Sequence, residues 1–469
     1  MSAKNGCGLA LQLFLIFNFL NNSVSTFFPN VYPRVKLEAK PHGSAGDPLM
    51  LTPYIVMGKN ELARNISRVS ITEKLGFTSH AGFFTVNIKH NSNLYLWYFP
   101  AFNKDKAAPV ILWLQGGPGG SSLFGLFTEN GPLIAKKDGF VLRKHHWALK
   151  NHLIFIDNPV GTGFSFTKEK GYCTDEQCVA NGLYMCLEQF FIMFPALRNN
   201  EFYITGESYA GKYIPSLAMK IHLKNKEELK INLKGLALGN AYCDPINQMD
   251  YGNYLYQHGL IDFEQNKLFT KMQSAIVDEI RKENWVEADI LMDQLMDGEQ
   301  TNYSYFKNFT GFENYYNILD QTDSNSNMGI YIDLLNNDEI RESVHVGGLP
   351  FNSGKEVQEY LMYDVLKSVA PYISELLSHY RLLFYNGQLD IIVAYPLTES
   401  FLRNLNFSSA KEYKTAARHI WRVDDEIAGY VKKAGNLTEV LVRNAGHMVP
   451  HDQPIWALDL ITRFIKNTL

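Results

Sequence analysis

Short apolar runs alternate along this chain with stretches of helical period. Phe83–Ile88 and Asn93–Phe99 alternate apolar with polar positions, as two neighbouring antiparallel strands do when one face meets a core. The runs Pro109–Leu114, His152–Ile156, Phe202–Thr205, Lys234–Gly239, Arg381–Tyr385 and Glu439–Arg443 are nearly all apolar, as strands covered on both faces must be. Helical patterns such as Val179–Phe194 and Lys212–Lys220 lie between them. The alternation predicts an α/β fold, a mostly parallel sheet flanked by helices that carry the crossovers. From about Ala241 to Tyr380 the strand signals stop, and Lys267–Met296 reads as helical, with Ile276, Ile280, Trp285, Ile290 and Leu295 among its apolar positions. Helices inserted between two late strands would cover the sheet's carboxyl edge, where α/β proteins bind ligands. The expected division is a discontinuous core of residues 26–240 and 376–469 with an inserted helical cap at 241–375; structural padding is the alternative reading of the insertion.

Residues 1–25 carry an address. Lys4 supplies a basic flank, Leu9–Leu20 is largely apolar, and Ser23-Val24-Ser25 offers small residues at a cleavage-like spacing. The apolar run includes Gln12 and Asn18 and is shorter than the roughly 20 residues a membrane span needs, so a removed signal peptide is expected. Five glycosylation acceptors, Asn65, Asn302, Asn308, Asn406 and Asn436, fit Asn-x-Ser/Thr and favour a secreted or lysosomal protein. Of the 5 cysteines, Cys7 would leave with the signal. Cys173, Cys178, Cys186 and Cys243 could then form two disulfides, with three pairings open and Cys173–Cys178 one candidate. Zinc is the rival use of these thiols, but no histidine pair accompanies them, and no metal or other cofactor is expected. A composition of 46% hydrophobic and 20% charged residues describes a packed globular protein, and a net charge of −4 gives no basis for nucleic acid or an anionic membrane as partner.

The candidate chemistry begins at Gly206-Glu207-Ser208-Tyr209-Ala210. A strand that turns sharply into a helix at Gly-x-Ser-x-small exposes the serine hydroxyl at a strained bend, where it can act as a nucleophile. Such a serine needs a base in reach and an acid to orient that base, in chain order serine, acid, histidine. Asp390 follows the run Arg381–Tyr385 through the turn Asn386-Gly387, and His447 follows Glu439–Arg443. His451 is a rival, lying beyond Pro450 at the next helix start. Trp113-Leu-Gln-Gly-Gly-Pro-Gly-Gly-Ser-Ser122 follows another buried run and can present backbone N–H groups to a developing oxyanion. The amides of Gly117 and Tyr209 are the expected donors. A phosphate loop is excluded because its lysine and Ser/Thr are missing.

These segments, together with Asp157-Asn-Pro-Val-Gly-Thr-Gly-Phe-Ser165 and Gly446-His447, resemble the serine carboxypeptidases over the span from about Ala81 to the C-terminus. The forms Gln115-Gly-Gly-Pro-Gly-Gly120 and Asn386-Gly-Gln-Leu-Asp-Ile-Ile392 are similar to the vitellogenic-like branch, which includes insect venom enzymes. The resemblance implies an α/β-hydrolase fold and a serine exopeptidase acting on peptides or proteins with a free C-terminus. It also implies that Glu207 and Glu129, with Gln115 and Gly116, receive the substrate's terminal carboxylate. Two carboxyls facing a third cannot all be ionised, so acidic conditions should favour binding. The sequence departs from the family at Gln115, where asparagine is usual, and at Gly120, where cysteine is frequent, so one family disulfide is missing. An acyltransferase or esterase using the same three residues, or a non-catalytic secreted protective partner, are the competing readings, and a homodimer is compatible with the resemblance.

Overall fold

The computed structural model describes residues 32, 35–41, 43–227, 231–322 and 329–469. The expected signal peptide and Cys7 lie outside the described residues. A ten-stranded mixed sheet organises the chain. Its strands are β1 (His80–Asn87), β2 (Ser92–Phe99), β3 (Val110–Leu114), β4 (His152–Ile156), β5 (Phe202–Glu207), β6 (Leu233–Gly239), β7 (Arg381–Gly387), β8 (Arg418–Val423), β9 (Glu426–Ala434) and β10 (Leu437–Val442). Their order across the sheet is β1-β2-β4-β3-β5-β6-β7-β10-β9-β8. The pairs from β4 through β10 are parallel, and both margins are antiparallel. This is the helix-flanked, mostly parallel sheet of an α/β-hydrolase.

The central strands are apolar because both faces are covered. Every residue of β3 and β4 is buried, and each aliphatic side chain moved from water to such a core contributes about 1.5–3 kcal/mol. Helix α1 (Glu176–Met193) packs along one side and starts where the Asp175 carboxylate accepts the Cys178 amide, a cap that satisfies one of the unpaired N–H groups of the first turn. Helix α2 (Ala210–Lys224) springs directly from the end of β5 and packs against α1.

Three features differ from the sequence reading. Strands β8 and β9 extend the sheet where no strand was predicted. Only Trp421 and Val423 of β8 are buried, so the run lacks an apolar signal; the hairpin turns through Asp424 and Asp425, both at positive φ, the conformation that matches the twist of two paired strands. Second, the helical stretch Lys267–Met296 is two helices, α3 (Phe263–Arg281) and α4 (Trp285–Met292), separated where Glu283 adopts φ 61°. Third, the cysteines among the described residues form one disulfide, Cys173–Cys178, instead of two. Cys186 and Cys243 are free and buried; Cys186 lies among the core side chains of α1, and the Cys243 thiol donates to the Gly211 carbonyl at 3.2 Å. Burial pushes both thiols up in pKa, so neither is readily a thiolate.

Between β6 and β7 the described residues are mostly helical, including Tyr251–Gln257, α3, α4, Lys355–Val365 and Ala370–Leu376, but a short strand, Asn352–Ser353, breaks the expected run without strands by pairing with Thr162–Gly163. The loops of this segment reach the carboxyl ends of the sheet strands. The Tyr315 carbonyl accepts the amides of Ile391 and Ile392 at 3.2 and 3.1 Å, and the Tyr316 carbonyl accepts that of His447 at 2.7 Å.

Candidate active site

Five loops converge because their strands are neighbours. β3, β5, β6, β7 and β10 lie side by side in the parallel part of the sheet, and each delivers part of the site at its carboxyl end. β5 delivers Glu207 and Ser208. Gly206 is required there, since a Cβ would stand 2.2 Å from the Leu114 carbonyl oxygen. Ser208 itself takes φ 59°, a left-handed conformation costly for a residue with a Cβ. Its amide bonds to the Gly239 carbonyl at 3.0 Å, and its own carbonyl accepts from Tyr242 at 3.0 Å and Gly211 at 2.9 Å. The strained bend is therefore held from both sides.

The acid and the base meet across the adjacent loops. His447 Nδ1 lies 2.9 Å from Asp390 Oδ2, with both side chains fully buried. Asp390 is fixed by three further donors: the Asn240 amide group at 2.7 Å and the backbone N–H groups of Ile392 at 3.1 Å and Val393 at 3.2 Å. His451 is elsewhere, with Nδ1 3.0 Å from the Thr128 carbonyl. Among the described residues, Ser208 Oγ and His447 Nε2 are buried without a hydrogen-bond partner. The histidine's second nitrogen is thus the free one, the arrangement in which an acid orients a base for a nucleophile. Hydrogen bonds of this kind are often long in an unliganded site and tighten on substrate.

The glycine loop after β3 abuts the bend. A Cβ on Gly116 would lie 2.6 Å from the Tyr209 amide nitrogen and 2.7 Å from Ser208 Cβ, so only glycine lets this backbone approach the serine. Gly117, next in the chain, and Tyr209, the first residue after the serine, are thereby brought to the same end of the sheet.

Behind the serine lies an acidic pair bridged by one amide. Gln115 Nε2 donates to Glu129 Oε1 at 3.0 Å and to Glu207 Oε1 at 2.8 Å. The indole N–H of Trp113 donates to Gln115 Oε1 at 2.7 Å, which sets the direction of the amide and points its nitrogen at both acids. Gly125 is needed for this, since a Cβ there would stand 2.2 Å from the Trp113 indole nitrogen. Burial, followed by the charge of Glu129, holds Glu207 well above the usual carboxylate range, and burial raises Glu129 as well. Among the described residues the Oε2 atoms of both glutamates are buried and unpartnered. Such an arrangement keeps a proton available and can grip a third carboxylate.

Three contributors have no local motif. Asn240 orients Asp390, Tyr316 holds the His447 backbone, and Tyr32 donates its hydroxyl to Glu207 Oε1 at 2.9 Å. Asn240 stands directly after an apolar run, a position that marks the carboxyl edge; Tyr316 and Tyr32 carry no comparable signal. Asn240→Ala should lower kcat/KM about 10- to 100-fold, the effect of removing a donor to a buried carboxylate at about 1.5–3 kcal/mol. A steady-state assay on any cleaved peptide checks this, and a rate within twofold of the parent would contradict it.

Comparison with known proteins agrees with the geometry. The family model for serine carboxypeptidases matches residues 70–467. The chain is 50% identical over 465 residues to the venom serine carboxypeptidase of Apis mellifera, covering 98% of this chain and 99% of that protein. It is 49% identical over 433 residues to the vitellogenic carboxypeptidase of Aedes aegypti, covering 91% and 92%. Among solved structures, a prohormone-processing carboxypeptidase from Saccharomyces cerevisiae shares the fold, with a TM-score of 0.72 at 24% identity over 86% of this chain and 96% of that one. The chain therefore belongs to the serine carboxypeptidase family and is a serine-type carboxypeptidase.

Proposed function

We propose that the protein is a secreted or lysosomal enzyme that releases C-terminal residues from peptides and proteins through an acyl-enzyme on Ser208. The observation that carries this reading is the buried pair Glu129 and Glu207, bridged by Gln115, with Glu207 the residue before the serine. A hydrolase that cuts within chains has no use for buried carboxyls beside its nucleophile. An exopeptidase does, because its substrate ends in a carboxylate.

In this mechanism the unionised or half-ionised acidic pair and the Gln115 amide receive the terminal carboxylate and place the last peptide carbonyl over Ser208. His447 Nε2 takes the hydroxyl proton as Oγ attacks the carbonyl carbon, while Asp390 holds the imidazole and stabilises its charge. The N–H groups of Gly117 and Tyr209 stabilise the tetrahedral oxyanion. Collapse breaks the C–N bond, and His447 gives its proton to the departing amine of the last residue. Water, deprotonated by His447, then attacks the Ser208 ester; the ester C–O bond breaks, His447 returns the proton to Ser208 Oγ, and the shortened chain leaves with a new carboxyl end.

Acidic conditions favour this binding. The raised proton affinity of Glu207 and Glu129 means that lowering the pH fills the shared proton site, and raising it leaves two negative charges facing a third. The five acceptor asparagines are all exposed, as glycosylation on the secretory route requires. We assign the helical segment 241–375 the role of a cap, since its Tyr315 and Tyr316 carbonyls hold the loops that bear Asp390 and His447. No described helix is long and apolar enough to cross a membrane.

The test is a digestion of a peptide of known sequence followed by mass spectrometry. Successive losses of single C-terminal residues at pH 5 are expected. Internal fragments, or no ladder at any pH, would refute the exopeptidase reading.

A further inference from the structure

We infer that Tyr32, supplied by the segment N-terminal to the sheet, is a positioning residue of the acidic pocket that holds Glu207 in the orientation receiving the substrate's terminal carboxylate. This inference rests on the carboxylate-pocket reading above. The Tyr32 side chain is 7% exposed, and its ring lies 5.0 Å from that of Phe124, tilted by 57°. Its hydroxyl donates to Glu207 Oε1 at 2.9 Å, the same oxygen that accepts from Gln115 Nε2 at 2.8 Å.

Two donors on one oxygen fix a carboxyl group that a single flexible amide would leave free to rotate. The other oxygen, Oε2, is the one left buried and unpartnered, as is Oε2 of Glu129. A plug would take the vacant oxygens; Tyr32 takes the oxygen already engaged and leaves the vacant ones alone. Burial and the adjacent glutamates hold the phenol well above its ordinary pKa, so it stays a donor throughout the working pH range.

The glycine loop makes room for this ring. A Cβ on Gly120 would stand 2.6 Å from Tyr32 Cδ2, so any side chain at position 120 would displace it. Tyr32 and the glycine loop are therefore fitted to each other at the pocket. The other titratable groups facing the pair are Asp390 and Tyr385 beside Glu207, and His447, His451 and Arg143 beside Glu129.

The experiment measures kcat and KM of the full chain, from pH 4 to 8, on a blocked dipeptide and on its C-terminal amide. In Tyr32→Phe, KM for the free acid should rise about five- to tenfold, the effect of one lost hydrogen bond of ordinary strength, with the loss falling on KM more than on kcat. The Tyr32 hydrogen bond favours the ionised form of Glu207. Its removal should therefore move the alkaline decline of kcat/KM to higher pH, a change that a purely structural role would not produce. Gly120→Ala should raise KM similarly, and the double variant should add nothing further. An unchanged KM and pH profile in both variants would overturn the inference, and so would a gain in activity, which would mark Tyr32 as a plug. If the parent prefers the acid but Tyr32→Phe is unaltered, only the role of Tyr32 falls. If the parent cleaves acid and amide equally, the carboxylate pocket falls and this inference with it.

Discussion

Ser208→Ala is expected to lower kcat/KM about 10⁴- to 10⁶-fold on a blocked dipeptide with a free C-terminus, a loss of about 5–8 kcal/mol in transition-state stabilisation. The magnitude follows from the covalent route. Without Oγ there is no acyl-enzyme, and only the oxyanion donors and substrate positioning remain, which retain a modest advantage over water. The variant is a clean one. The Ser208 hydroxyl makes no hydrogen bond to any described residue, so its removal orphans no partner, and alanine meets the same positive φ penalty as serine. The thermal midpoint should stay within about 2 °C of the parent, because stability changes well below 1 kcal/mol move it little in a chain of this size. Active-site labelling by a fluorophosphonate, located by peptide mass, should vanish in the same variant. A Ser208→Ala protein that cleaves as fast as the parent would eliminate the serine mechanism altogether.

The second large effect is discrimination between a C-terminal acid and its amide. At pH 5 the acid should be cleaved about 10²- to 10⁴-fold more efficiently, because a site whose buried polar groups await a partner penalises the substrate that fails to supply it. The amide presents an N–H₂ where the pocket offers Gln115 Nε2, and it cannot share the proton held between Glu129 and Glu207. On the proposed mechanism the same pair would set the pH response. Both groups have raised pKa values in the folded protein, so the proton is bound at low pH and lost as the pH climbs through the raised values. Acid cleavage should decline on that limb through KM, as repulsion grows. Glu207→Gln cannot ionise, and its alkaline decline should be shallower than the parent's. Superimposable profiles for parent and variant would remove the shared proton from the mechanism, and equal cleavage of acid and amide would remove the pocket.

Much of this site was legible because its parts are local. Ser208, Asp390 and His447 each lie within five residues of the end of an apolar run, and an apolar run flanked by helical pattern is itself evidence of a strand covered on both faces. The glycine loop was legible for the same reason, lying at the end of β3. Strands β8 and β9 were not, because an edge hairpin with one wet face, as in Arg418–Val423, leaves no continuous apolar run. The second disulfide was misjudged because counting cysteines carries no distances. Cys186 is buried on α1, while the Cys243 thiol donates to the Gly211 carbonyl, and spacing along the chain cannot register that. His447 is the histidine nearest the end of the last parallel strand, and it, not His451, lies on Asp390.

The sequence by itself determined the reaction class and the order of its parts: a serine on a strand-to-helix bend, an acid and a histidine after later strands, and a glutamate beside the nucleophile. Each of these is written in short windows, where the period of apolar positions and the backbone freedom of glycine act over a few residues. Only the tertiary structure decided how the parts meet. Sheet order brings β3, β5, β6, β7 and β10 side by side, so that Asn240 reaches Asp390 across 150 positions and Tyr32 reaches Glu207 across 175. Hydrogen bonds act over about 3 Å, and no pattern along a chain reports which distant residues the packing of a sheet will bring within that reach.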